Sequence, residues 1–333
     1  MRKTISIIAS AALIACLGCT KDNEKAFTGR LSADVTFTVS SGDLDTKADK
    51  QTDSDKAVSS LDVIVFNTDG ALEASLHTTG ALITNPVSLT MDEKTVYAFA
   101  NLPSGVLSTL TNKPACEAYH PEFAQNAPGA FFMKGKRVVT IEPSTDQVSL
   151  SVSRDVYKVV IAAAPTFSGA AAGGSFEAAY LINVPKTYAP TTAYSMSDGA
   201  YLWNFDTAAK TGSEQDGMLR ATSWTLPLYG YPNASSAASS VNGKDAVTKL
   251  VIKAKVGGKT QWYPIGLQGT ASNRLYTVNG VSISGLGADD PNKYVGHDVI
   301  GVDISVTDWS TGVLTSSHIH KDGTGVIFDD IIP

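Results

Sequence analysis

The chain has 333 residues, 43% of them hydrophobic and 17% charged, which supplies packed cores and argues against a disordered polypeptide. Its 26 basic and 32 acidic residues give a formal net charge of −6 without a basic cluster, so nucleic acid is not an expected partner. Five His and three Cys, none at metal-ligand spacing, leave little for a metal site, and the composition favours a surface or structural protein over an enzyme.

Arg2 and Lys3 precede an apolar run from Ile5 to Ala15 that is too short to span a bilayer, the pattern of a secretory signal. Leu13-Ile14-Ala15-Cys16 resembles a bacterial lipobox. Cys19, preceded by Gly18 and followed by the polar Thr20-Lys21-Asp22-Asn23-Glu24, competes with Cys16 as the lipidated residue. A signal peptide is placed at residues 1–19, with membrane attachment through the acylated cysteine. Cys116 then has no partner for a disulfide and is expected to be a small buried hydrophobe.

Period-two alternation dominates the chain from residue 31 onward. Leu31, Ala33, Val35, Phe37 and Val39 share one face of a strand over residues 31–40. Residues 41–60 are polar and aperiodic, an expected exposed loop carrying Lys47, Lys50 and Lys56 within reach of proteases. Leu61 to Phe66 is nearly all apolar and stops at Asn67-Thr68-Asp69-Gly70, as a strand buried on both faces would. Val96 to Ala100 reads as a strand closed by Asn101-Leu102-Pro103, residues 104–126 have room for a short helix or two, and Val148, Leu150 and Val152 alternate. Gly169 to Ser175 and Ala234 to Ser240 look like flexible loops. Leu250, Ile252, Ala254 and Val256 lead through Gly257-Gly258 to Trp262-Tyr263-Pro264-Ile265, a hairpin. Leu275 to Val278 and Val281 to Ile283 precede a loop at 285–291, and Ile300, Val302, Ile304 and Val306 form a last clean strand ending at Asp308-Trp309. The pattern predicts an all-β chain of two tandem β-sandwich domains with few short helices, at residues 20–152 and 153–333.

A search for chemistry yields no catalytic, cofactor-binding or metal residue. Gly258-Lys259-Thr260 lacks the earlier glycine of a phosphate loop, where Lys253 stands, and G-x-S-x-G and H-E-x-x-H are absent. His318-Ile319-His320 has no third ligand suggested nearby and reads as a solvated tail. Asp289-Asp290 and Asp329-Asp330 lack the spacing of a calcium loop. Trp203, Trp224, Tyr229 and Tyr231 are either a sugar-stacking platform or core and loop anchors.

An ordered series of short patterns resembles the fimbrillins, the type V pilins of Gram-negative anaerobes, over nearly the whole chain. It comprises the lipobox with its polar follow-on, the strand at 31–40, Tyr97-Ala98-Phe99-Ala100-Asn101-Leu102-Pro103 and Val152-Ser153-Arg154-Asp155-Val156-Tyr157-Lys158-Val159. Asn183-Val184-Pro185-Lys186, Tyr229-Gly230-Tyr231-Pro232-Asn233, Tyr276 to Gly285 and Val306-Thr307-Asp308-Trp309 complete it. The resemblance implies two transthyretin-like sandwiches and a lipoprotein precursor at the outer membrane. It further implies a trypsin-like protease that cuts after a basic residue behind the first strand, and polymerisation into an extracellular fimbrium serving adhesion and biofilm formation. Carried onto this sequence, the cut falls between Lys47 and Ala48, although the family usually has Arg there. The exchanged strand contributes Val35, Phe37 and Val39, and the tail at 310–333 donates Val326 and Phe328 to another copy or a related fimbrial subunit. Host or bacterial surface ligands are further implied partners. A non-polymerising tip or anchor subunit and a glycan-binding outer-membrane lipoprotein remain alternatives.

Overall fold

The computed structural model describes residues 32–39, 55, 57–192, 218–235 and 245–309, and the backbone of 40–41, 314–315, 318–321 and 326–329. Among the described residues seven strands precede residue 155: β1 (Ser32–Ser41), β2 (Ser60–Asn67), β3 (Leu72–Thr79), β4 (Leu82–Thr90), β5 (Glu93–Ala100), β6 (Met133–Thr140) and β7 (Gln147–Arg154). They form one sheet in the order β3-β2-β5-β6-β7-β1-β4. It folds over so that residues of β4, β1 and β7 meet those of β3, β2 and β5 in a shared core.

Alternation builds this core directly. In β7, Val148, Leu150 and Val152 are buried between exposed Gln147, Ser149, Ser151 and Ser153. In β2, Leu61, Val63 and Val65 face the same core, whereas Ile64 and Phe66 join Tyr97, Phe99, Leu110, Cys116 and Phe132 on the opposite face. Segment 101–132 covers that second face and carries α1 (Lys113–Ala118), N-capped by Asn112, whose side chain accepts the Ala115 N–H, with proline in the first turn. The sequence pattern marked neither β3 nor β4. Both are edges of the sheet, and β4 contains Pro86, which has no N–H for a ladder and suits an edge.

In the second part of the chain the described residues form twelve strands: β8 (Tyr157–Ile161), β9 (Thr166–Phe167), β10 (Ser175–Ile182), β11 (Arg220–Ala221), β12 (Leu228–Gly230), β13 (Thr248–Val256), β14 (Lys259–Gln268), β15 (Arg274–Ile283), β16 (Ile300–Asp308), β17 (Leu314–Thr315), β18 (His318–Lys321) and β19 (Val326–Asp329). Two sheets, β11-β10-β13-β14-β19-β18 and β12-β8-β15-β16-β17, enclose the largest core. The chain is thus all-β, in two tandem sandwiches. The β13–β14 hairpin turns at Gly257 and Gly258, whose φ angles of 57° and 79° give the doubly positive turn that matches strand twist. The two runs expected at 275–278 and 281–283 are one strand, β15, joined through a register shift between Val278 and Gly280.

Two expectations need correction. Residues 169–174 are no flexible loop: Gly169–Ala171 forms a 3-10 turn in which Gly169 takes φ 53° and Ala171 is buried. The Ala170 N–H donates to the Ser284 carbonyl at 2.9 Å, a close approach that only small side chains permit. Nor is the stretch from 41 to 60 uniformly exposed. Ser41 and Ser60 belong to strands, and Asp55 is fully buried.

Inward and outward positions of β7 should therefore differ sharply in urea denaturation. Leu150→Ala should cost about 2–5 kcal/mol. Ser151→Ala should change stability by no more than about 0.5 kcal/mol.

Candidate functional site: the first strand and its anchor

β1 lies inside the sheet although it is the first strand among the described residues. It pairs antiparallel with β4 from Ser32 opposite Thr90 to Thr38 opposite Leu82, with a register shift between Val35 and Phe37. On its other side it pairs parallel with β7, from Thr36 opposite Gln147 to Ser41 opposite Val152. Val35 and Phe37 are completely buried, and Val39 packs against the same core while partly exposed. Burying a side chain of this size contributes about 1.5–3 kcal/mol, and each backbone hydrogen bond adds a net ~0.5–1.5 kcal/mol. Neither β4 nor β7 follows β1 in the chain, so residues 42–59 alone connect it onward to the rest of the sheet.

The far end of that connection is anchored by Asp55. Its Oδ2 lies 2.5 Å from Lys158 Nζ, and its Oδ1 accepts from the Tyr229 hydroxyl at 2.8 Å. Arg154 Nε and Nη2 donate to the Asp55 carbonyl at 3.0 and 2.7 Å. Lys158 and Arg154 are nearly as buried as Asp55, so each charge depends on the others in a site without water's screening. Burial, with the adjacent Asp55 charge, pushes the Tyr229 hydroxyl far above the ordinary tyrosine range and keeps it a donor. The Arg154 guanidinium sits 4.6 Å from the centre of the Trp309 ring, on which Phe131 and Tyr229 also pack at 5.9 Å. Trp309 directly follows β16, so the anchor of the β1 connection and the root of the C-terminal tail meet at one cluster.

Further contacts tie segment 119–132 to the second sandwich. His120 Nδ1 lies 2.7 Å from Asp155 Oδ2, and the imidazole stacks on Tyr188 at 4.0 Å. Burial raises the Asp155 carboxyl, and the bond to His120 opposes the rise. Asn126 donates to the Tyr231 hydroxyl, and that hydroxyl donates to the Pro121 carbonyl. After Trp309, β17 pairs with the end of β16, and β18 and β19 form a hairpin. β19 lies parallel to β14 with Phe328 opposite Leu267, so Val326 and Phe328 are on a strand added to this chain's own second sandwich.

Residues 33–164, which hold nearly all of the first sheet together with Asp55, Arg154 and Lys158, match the family described as major fimbrial subunit protein (FimA). Over that span the chain is similar to the fimbrillins. That family is described as one of fimbrial subunits. Among solved structures, a fimbrilin from Porphyromonas gingivalis W83 is similar with 18% identity and a TM-score of 0.62, over 83% of this chain and 97% of that one. A candidate cell adhesion protein from Bacteroides eggerthii gives 20% identity and a TM-score of 0.60, over 84% and 96%. The tip fimbrial protein Mfa3 of Porphyromonas gingivalis, with a C-terminal truncation, gives 15% and 0.52, over 83% and 100%. At these identities the likeness shows the shared fold. A comparison with curated proteins finds no match.

Among the sequence-marked residues, Cys16, Cys19, Lys47, Ala48 and Trp203 lie outside the described residues. The aromatic platform is not formed: Tyr229 and Tyr231 are core residues and the Tyr229 hydroxyl is committed to Asp55. Among the described residues no three His, Cys, Asp or Glu side chains gather as metal ligands. Sequence reasoning missed Asp55. Its signal was on the partner side, a lysine and an arginine at 154–158 in a stretch otherwise fit for burial, since a buried cation needs a carboxylate.

Asp55→Ala leaves Lys158 buried without its carboxylate and should lower unfolding stability by about 3–5 kcal/mol in chemical denaturation. Cys116 is buried, and burial pushes its thiol up to about 11. At pH 8 its peptide should resist alkylation in the native protein and react on unfolding, as read by mass spectrometry.

Proposed function

We propose that this chain is a polymerising subunit of a cell-surface fimbria. It is exported as a lipoprotein through Cys16 or Cys19 and cut after Lys47. It then assembles when the tail of a neighbouring subunit replaces β1. The single observation that carries this reading is the placement of β1. It is buried between β4 and β7 yet connected onward only through residues 42–59, so one cut in that connection turns an integral strand into a removable one. An extended segment entering the vacated slot finds two unpaired backbone edges and the pockets of Val35 and Phe37, the physics of strand addition.

The anchor bears on where the cut falls. A protease holds several residues in extended form on both sides of the bond it cleaves. Cleavage after Lys56 would require Asp55 to leave Lys158, Tyr229 and Arg154. Lys47 and Lys50 precede Asp55 by enough chain to avoid that, and of these Lys47 is preferred. The trypsin-like protease partner would then be one that accepts lysine. Val326 and Phe328 are the proposed donor residues, and they must leave the edge of β14 before serving another subunit. A tip or anchor subunit that never donates its tail would keep β19 where it is, and this pairing is what favours that second reading.

The test is the N-terminus of the protein recovered from the cell surface, by mass spectrometry, beside a mild-detergent gel. The expected result is a free Ala48 with a ladder of oligomers, and an unprocessed monomer for Lys47→Ala. An acylated Cys16 or Cys19 with a single monomer band would overturn polymerisation and leave the tip or anchor role, or a lipid-tethered binding protein.

A further inference from the structure

The slot can receive a new strand only if its walls stay in place once β1 has gone, and one wall has no backbone support of its own. Among the described residues β4 pairs with β1 and with nothing else. β7 is less exposed to this difficulty, because it also pairs with β6 at Met133–Arg154 and Lys134–Ser153. A β4 freed of β1 would keep its buried side chains, Ile83 and Leu89, and its short connection to β3 through Gly80 and Ala81. Nine residues held in that way would close onto the apolar gap, since an empty slot lined by Val148 and Leu150 is costly.

A cluster of charged side chains stands at the end of β4. Glu73, on β3, accepts the Thr90 backbone N–H at 2.7 Å and the Thr90 hydroxyl at 2.8 Å through the same Oε1. Its Oε2 lies 2.6 Å from Nζ of Lys94, which is completely buried at the start of β5. Lys94 Nζ also donates to Thr90 Oγ1 and to Asn67 Oδ1, both at 2.5 Å, and pairs with Asp92. The strands β3 and β4 are the two free edges of the sheet, so Glu73 bridges a seam that no backbone ladder closes. Its carboxyl is held below the ordinary range: burial pushes it up, but the bonds from Lys94 and Thr90 outweigh that and keep it charged at neutral pH.

Resting on the strand-exchange reading, we infer that Glu73, Thr90 and Lys94 are positioning residues that hold β4 in register after β1 departs, keeping the acceptor slot open for the incoming strand. Two residues before β4, the Gly80 N–H donates to the Ser59 carbonyl at 2.9 Å, so the chain that leads into the strand is also fastened independently of β1. None of these contacts involves a residue of β1. They survive its removal, unlike every ladder bond of β4.

The experiment uses the full chain with a site-specific protease sequence in place of residues 48–53. After cutting, a fluorescent peptide of residues 32–41 is offered in excess, and its uptake is followed by anisotropy. Amide exchange across β4 is followed in parallel. The cut wild type should take up the peptide and keep the Thr90 amide protected. Glu73→Ala should weaken uptake on the order of tenfold, a loss of about 1.4 kcal/mol, with faster exchange at Thr90 and along β4. Glu73→Gln, which still accepts the Thr90 N–H, should recover much of the loss. Before cutting, all three should fold and pair β1, because its ladder is intact; should Glu73→Ala fail to fold, Thr90→Val reads the same seam. Equal uptake by wild type and Glu73→Ala would overturn the inference and leave strand exchange standing. Failure of the cut wild type to accept the peptide would sink the strand-exchange reading itself.

Discussion

A carboxylate removed from water must be paired, and Asp55 is paired on every side. Its oxygens engage Lys158 and Tyr229 while its carbonyl engages Arg154. That constraint determines what the preceding chain is free to do. Asp55 is committed to the body of the protein, and the connection before it leads back to β1. The same cluster holds Phe131 of the first sandwich and Trp309 at the end of β16, so the two sandwiches, the connection to β1 and the root of the tail share one support.

Strand edges explain the rest of the architecture. The first sheet ends in β3 and β4, and it manages these edges with a proline in β4 and with the side-chain bridge of Glu73 and Lys94. The second sandwich covers the edge of β14 with β19 from its own tail. Fibre formation by strand addition needs edges that are satisfied in the free subunit and exposed at the moment of assembly. β1 satisfies the edges of β4 and β7, and β19 satisfies that of β14.

Much of the fold was legible because period-two alternation leaves a local trace. The inward faces of β1, β7 and β16, the two-sided burial of β2 and the β13–β14 turn all follow from residue order. Among the strands that escaped notice, which include β8 and β10, the strands β3, β4 and β6 carry polar or basic residues outward and β4 has a proline at an edge, so their burial depends on neighbours distant in sequence. The glycine-rich turn at 169 was misread for the same reason: its rigidity comes from the Ser284 carbonyl, a contact between segments far apart in the chain.

Residue order by itself determined the all-β class and the inward faces, and it carried the resemblance with which the match over residues 33–164 agrees. These depend on local periodicity or on short contiguous patterns, which a linear chain displays openly. Only the tertiary structure decided that Asp55 is buried, that β1 lies between β4 and β7, and that Glu73 meets Lys94 across a seam. Each of these depends on which distant segments share a low-dielectric interior, where an ion pair or an unpaired edge takes its value from partners that sequence proximity does not reveal.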